Sequence, residues 1–97
     1  MTPVKRIEIV VGAVELDRLV DALEGIGVAD YTLLRDVDGR GSRGERHGDE
    51  ISDAFRNAVL VVAIDPAQAE RVVETVRPFL RRYGGMCLLS DALWVKH

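Results

Sequence analysis

The chain has 97 residues, 47% of them hydrophobic, and a formal net charge of −3 from 13 basic and 16 acidic side chains. That is one domain's worth of sequence, too apolar for a disordered chain and too acidic for broad nucleic-acid binding. No apolar run approaches the roughly 20 residues that span a bilayer. The N-terminus lacks a signal-peptide pattern, so cytoplasmic residence without membrane insertion is expected. Cys87 is the one cysteine. It excludes an internal disulfide and a multi-cysteine zinc site, and its apolar neighbours mark it as a small core residue.

Residues 4–11, VKRIEIVV, place Val4, Ile7, Ile9 and Val11 among Lys5, Arg6 and Glu8. This β-branched, roughly alternating pattern predicts a strand. The period then changes. Leu16, Leu19, Val20, Leu23 and Ile26 recur at helical spacing over residues 14–26, and Gly25 and Gly27 supply the stop. Residues 30–37, DYTLLRDV, predict a second strand. From residue 38 to 53 no apolar period is visible, and four glycines sit among charges, which predicts a loop.

Residues 54–64, AFRNAVLVVAI, predict the third strand. Asp65 then caps a helix whose first position suits Pro66. Ala69, Val72, Val73, Val76 and Leu80 form its apolar face, and Pro78 is expected to kink or loosen the last turn. Arg81 and Arg82 at its end offset the helix dipole. Gly84 and Gly85 turn the chain into a last strand, residues 86–95.

The order β-α-β-β-α-β predicts an α+β, ferredoxin-like sandwich over residues 1–97 as a single domain. Its four-stranded antiparallel sheet would carry both helices on one face. The other face would be bare, with Phe55, Val59, Val61 and Leu93 or Trp94 as candidates to line it, and a bare apolar sheet predicts self-association.

The segment Gly39-Arg40-Gly41-Ser42-Arg43-Gly44, followed by Arg46 and His47, concentrates the positive charge of an acidic chain. Glycines let backbone N–H groups approach an anion, and guanidinium groups match phosphate or carboxylate oxygens in pairs. Neither a Walker-type nor a dinucleotide-binding glycine motif is present. Composition alone leaves three readings: a solubilising loop, a phosphate-binding loop, and an RNA-contacting arginine-rich loop. His47 and His97 have no partners at metal-ligand spacing. Asp36, Asp38, Asp49 and Glu50 fit no calcium-loop pattern and are read as charge balance. Tyr83 could stack on a base or pack beneath the loop. No residue set has the pattern of a catalytic site, so the chain is not expected to be an enzyme.

The stretch YTLLRDVDGRGSRG, with KRIEIVV and ELDRLVDALEGIGV before it and YGGMCLLSDALWV at the end, resembles the PII signal-transduction superfamily over nearly the whole chain. Segment 38–53 then corresponds to the family's T-loop, with no tyrosine between Asp36 and Asp53. The turn RRYGGM corresponds to its B-loop, without the lysine and aspartate of the nitrogen-regulatory PII proteins. These features are more similar to the divergent PII-like branch, the carboxysome-associated PII proteins and the PII-like regulators of the SbtA bicarbonate transporter.

That resemblance implies a homotrimer that binds ADP or AMP, or else ATP or cyclic AMP, in clefts between subunits, together with bicarbonate. It needs no cofactor beyond these regulatory ligands. It implies signalling through ordering of a flexible T-loop to a partner protein such as a bicarbonate transporter or a carboxysome component. Carried over by position, the nucleotide contacts are Thr32, Gly41, Ser42, Arg43, Arg46, Gly84, Gly85 and Met86, and the bicarbonate contacts are Gly44 and Arg46. The alternative is a ferredoxin-like trimeric interaction module of CutA-like type, with no nucleotide ligand.

Overall fold

The computed structural model describes residues 1–37, 39–41, 44–46 and 56–97, with backbone alone described for 39–41 and 44–46. The elements run β1 (Thr2–Gly12), α1 (Ala13–Gly25), β2 (Thr32–Val37), β3 (Gly39–Gly41), β4 (Gly44–Arg46), β5 (Asn57–Ile64), a 3-10 turn (Pro66–Gln68), α2 (Ala69–Tyr83) and β6 (Met86–Trp94). The main sheet has the order β2-β5-β1-β6 with antiparallel neighbours throughout. This is the expected ferredoxin-like sandwich.

Register explains which side chains meet the helices. Ile7 stands opposite Val62 and Leu89, Ile9 opposite Leu60 and Cys87, and Val11 opposite Ala58. Residues directly opposite share a face. Ile7, Ile9 and Leu60 are wholly buried, together with Leu16, Leu19 and Leu23 of α1 and Val72 and Val76 of α2. Each such side chain contributes about 1.5–3 kcal/mol through removal from water. Cys87 packs against this core, half-buried, as its sequence context predicted.

The helix ends follow local chemistry. At the end of α1, Gly27 N–H donates to Glu24 O and Val28 N–H to Leu23 O, with Gly27 at φ +95 and Ile26 as the cap. That is a Schellman closure, and buried Val28 supplies its apolar contact. Asp65 accepts from Ala67 N–H at 2.9 Å, and Pro66 opens the 3-10 turn that leads into α2. Helix α2 continues through Pro78 to Tyr83, so the proline does not end it, and Gly84 N–H closes on Leu80 O.

Two expectations change. Part of the segment read as a loop is a ribbon: Gly39 pairs with Arg46, Arg40 with Glu45 and Gly41 with Gly44. Glycines and charges make up these six positions, so the ribbon leaves no apolar period to read. Of the alternatives for the bare face, Trp94 lies on it, opposite Thr2. Leu93 lies opposite Pro3 on the helix side, beyond the helices' cover. Phe55 lies outside the described residues.

Candidate functional site

The base of the glycine–arginine segment is built at one end of the sheet. Val37 pairs with Asn57, and Asn57 with Gly12, so β1, β2 and β5 reach that end together. The ladder is irregular between Arg35 and Val37, and Asp36 in that break has φ +57. Aspartate tolerates this left-handed region better than most residues. Its carboxylate meets Arg56 Nη1 at 3.3 Å. Asp36 and Arg56 flank the segment, so the pair clasps its two ends. The Arg56 carbonyl also accepts from Ala13 N–H at 2.7 Å, satisfying one of the donors left over at the start of α1.

The turn from α2 into β6 reaches the same end. Gly84 has φ +80 and Gly85 φ +115. A Cβ on Gly85 would lie 2.2 Å from the Val10 carbonyl oxygen. Glycine is therefore required for β6 to begin beside β1, where Met86 pairs with Val10. Among the predicted site residues, Gly41, Gly44 and Arg46 belong to the ribbon and Gly84, Gly85 and Met86 to this turn. Ser42 and Arg43 lie outside the described residues, as do Asp38, His47, Asp49 and Glu50.

Thr32 stands apart. It is exposed on edge strand β2, opposite Val61, and Val61 is opposite Glu8. That level is four residues along β1 from Gly12, or roughly 13 Å. Strands β5 and β1 also separate β2 from β6, a span of about 14 Å across the sheet. Within one chain, Thr32 and the Gly84–Gly85 turn cannot close on the same small group.

Tyr83 is held by two arginines. Arg18 Nη1 donates to its hydroxyl at 3.3 Å, and the Arg82 guanidinium lies 5.4 Å from its ring centroid. Sequence reasoning missed Asp36, Arg56 and Arg18 as parts of this end of the molecule. Their partners lie 20 and 65 positions away, and no spacing motif links them.

Burial raises the Cys87 thiol above its ordinary value of 9.0, with Arg77 acting in the opposite sense. A thiol held protonated at neutral pH is a poor nucleophile. Among the described residues no cluster of three histidine, cysteine or acidic groups could hold a metal ion. No described helix is long and apolar enough to cross a membrane. A hollow of about 290 Å³ lined by Pro3, Lys5, Pro66, Asp91 and Leu93 lies at the opposite end of the sheet, beside the Lys5–Asp91 ion pair.

The family model for nitrogen regulatory protein P-II matches residues 4–97. No curated protein sequence matches the chain. Among solved structures, the chain is similar to CPII, a nitrogen regulatory PII-like protein from Thiomonas intermedia K12, bound to ADP, AMP and bicarbonate. That match has a TM-score of 0.85 at 23% identity and covers 93% of this chain and 86% of that one. CPII bound to ADP and bicarbonate gives a TM-score of 0.82 at 26% identity with the same coverage. A PII-like signalling protein from Thermus thermophilus gives 0.75 at 21% identity, covering 94% of this chain and 88% of that one.

Proposed function

The chain belongs to the nitrogen regulatory P-II family, and from that membership we propose that it is a regulatory protein that binds ADP or AMP between copies of itself. The observation that carries this reading is the register. The base of the glycine–arginine segment and the Gly84–Gly85 turn share one end of the sheet. CPII, of the same fold, is bound to ADP, AMP and bicarbonate.

Arg43 and Arg46 hold the phosphates, with the backbone N–H groups of Gly41, Ser42 and Gly44 turned toward them. Bicarbonate, a second small anion, sits against Arg46 and Gly44. Gly84, Gly85 and Met86 line the opposite wall. The turn lacks a lysine, which favours ADP and AMP over ATP, with cyclic AMP as a further ligand of the same class. The separation of Thr32 from the turn within one chain supports a cleft completed by a neighbour in a homotrimer. Thr32 of one copy then faces the adenine against the turn of the next.

Nucleotide draws the segment 38–53 inward, and a partner protein reads its position. The partner is a protein of bicarbonate handling, a transporter or a carboxysome component, which places this cytoplasmic regulator at that site.

Titration calorimetry with AMP, ADP, ATP and cyclic AMP, each with and without bicarbonate, tests the reading. ADP or AMP binds most tightly to the wild-type chain. The double substitution Arg43→Ala/Arg46→Ala weakens binding by about 3 kcal/mol or more, since each charge-assisted contact contributes about 1.5–3 kcal/mol. Absence of heat with every nucleotide at millimolar concentration would overturn it.

A further inference from the structure

Helix α2 delivers the chain to the Gly84–Gly85 turn through a weak last turn. Pro78 has no N–H to donate to the Glu74 carbonyl, so the helix lacks a bond shortly before its end. Beyond it come two glycines at φ +80 and +115, and glycine loses more freedom than any other residue when it is fixed. Gly85 and Met86 are exposed, so burial does not hold them. On the sheet side the turn is set by Val10, with which Met86 pairs and whose carbonyl a Cβ on Gly85 would strike. The helix side needs a hold of its own.

Tyr83, the last residue of α2, supplies it. Its hydroxyl accepts from Arg18 Nη1 on α1 at 3.3 Å, and the Arg82 guanidinium lies over its ring. The ring alone would carry Arg82; the hydroxyl is what ties the residue to α1. Arg18 has carboxylates three positions away on both sides, Glu15 and Asp21, a spacing that a helix brings within reach. Among the described residues it pairs with neither, and reaches across to α2 instead. Helix α1 is a firm anchor, because Ala13 N–H at its start is held by the Arg56 carbonyl. The same Arg56 pairs with Asp36 at the base of the glycine–arginine segment. A short path of contacts therefore joins the two parts of the chain that the nucleotide reading assigns to the ligand.

We propose that Arg18 and Tyr83 are positioning residues for that ligand. Their bond fixes the end of α2 against α1, and so holds Gly84, Gly85 and Met86 at the spacing from the segment base that an adenine nucleotide requires. Neither side chain touches the nucleotide. The proposal rests on the nucleotide reading for its ligand, whereas the hold on the turn exists without one.

Tyr83→Phe and Arg18→Met remove the bond from either side, keeping the ring in the first case and a long, helix-forming side chain in the second. Both variants and their combination are examined as full chains, with circular dichroism to establish folding. Without nucleotide, hydrogen exchange at the amides of Gly84, Gly85 and Met86 accelerates about three- to tenfold in each single variant, the effect of one exposed hydrogen bond. The amides of Ile9 and Leu60 keep their wild-type rates, because the opening is local. The double variant exchanges no faster than either single one, since one bond is lost only once. ADP and AMP both bind about three- to tenfold more weakly, and by the same factor. The bond engages one guanidinium nitrogen, so Arg18→Lys keeps a donor for it and holds affinity within about twofold of wild type.

Wild-type exchange at the turn in Tyr83→Phe, additive effects in the double variant, or an Arg18→Lys chain as weak as Arg18→Met would overturn the proposal. So would a loss in Arg18→Met that is larger for ADP than for AMP, which would make Arg18 a direct phosphate contact. A wild type that binds no nucleotide, with a turn that both substitutions still loosen, would overturn the nucleotide reading and leave the hold on the turn standing.

Discussion

On β1 the two faces of the sheet follow different rules within one strand. Ile7, Ile9 and Val11 turn toward α1 and α2 and are at most 1% exposed. Arg6, Glu8 and Val10, one residue out of phase, turn the other way and keep contact with solvent. The covered face is uniformly apolar at its centre and filled from both helices. The open face is an apolar rim around the Arg6–Glu8 ion pair. Both helices cover the first, and among the described residues no element covers the second. The covered face thus carries the stability of the separate chain, and the open face is the one on which association, as proposed, is expected to draw.

The sharpest way to break this division is to truncate one leucine on each face. Leu60, wholly buried opposite Ile9, should lose about 2–5 kcal/mol on replacement by alanine, the usual range for a leucine removed from a packed core. Leu88, 52% exposed opposite Glu8, should lose less than about 1 kcal/mol in the separate chain. Urea unfolding at low protein concentration measures both. Sedimentation at higher concentration should reverse the ranking of what is disturbed: Leu88→Ala weakens association, while any folded Leu60→Ala chain still associates. Equal losses of stability at the two sites would erase the distinction between the faces.

The Gly84–Gly85 turn lies where the two faces end, and it tests whether the proposed ligand end is set by backbone geometry. Gly85→Ala places a Cβ against the Val10 carbonyl at a φ of +115. A loss of about 2–4 kcal/mol is expected, combining backbone strain with the clash. Gly25→Ala is the control, since a Cβ there meets nothing within 4 Å. It should be neutral or slightly stabilising, because alanine favours the helix. Thermal unfolding of the two variants side by side decides whether the turn is as constrained as its geometry states.

The covered face was the legible part of the sequence. Ile7, Ile9 and Val11 announce a strand and Leu16, Leu19 and Leu23 a helix, because burial on one side imposes a period on the residues. Asp65 and Gly27 were legible for a different reason: caps and left-handed closures depend on neighbours within a few positions. The ribbon 39–41/44–46 was not legible, since its glycines and charges carry no apolar period. Nor was the Asp36–Arg56 clasp, which exists only because the bulge in β2 and the start of β5 meet in space. The same holds for Arg18 and Tyr83, which the packing of α1 against α2 brings together. Of the predicted ligand residues, sequence could place Gly84 and Gly85 at the turn into the last strand, their ligand role being implied by the resemblance alone. It could not tell that Thr32 stands two strands and several residues away from them.

Cys87 gives the finest measure of the contrast, because it lies on the helix-facing side of edge strand β6, where cover from the helices runs out. Half-buried against the core, its thiol ionises above its ordinary value of 9.0 because burial disfavours the thiolate, and Arg77 offsets only part of this. The sign of the linkage follows. Well below pH 9.0 the thiol is protonated in both folded and unfolded chains, and its contribution to stability is unchanging there. As pH approaches and passes that value, the unfolded chain releases its proton first, so the folded state binds more protons and loses stability. The free energy of unfolding of the wild type should therefore fall more steeply between about pH 8 and pH 10 than that of Cys87→Ala. All other groups are common to the two chains, so the difference between the curves reports the thiol. Parallel curves would mean that the thiol is as well hydrated as in the unfolded chain and that the covered face stops short of β6. A steeper wild-type curve would place its boundary on that strand.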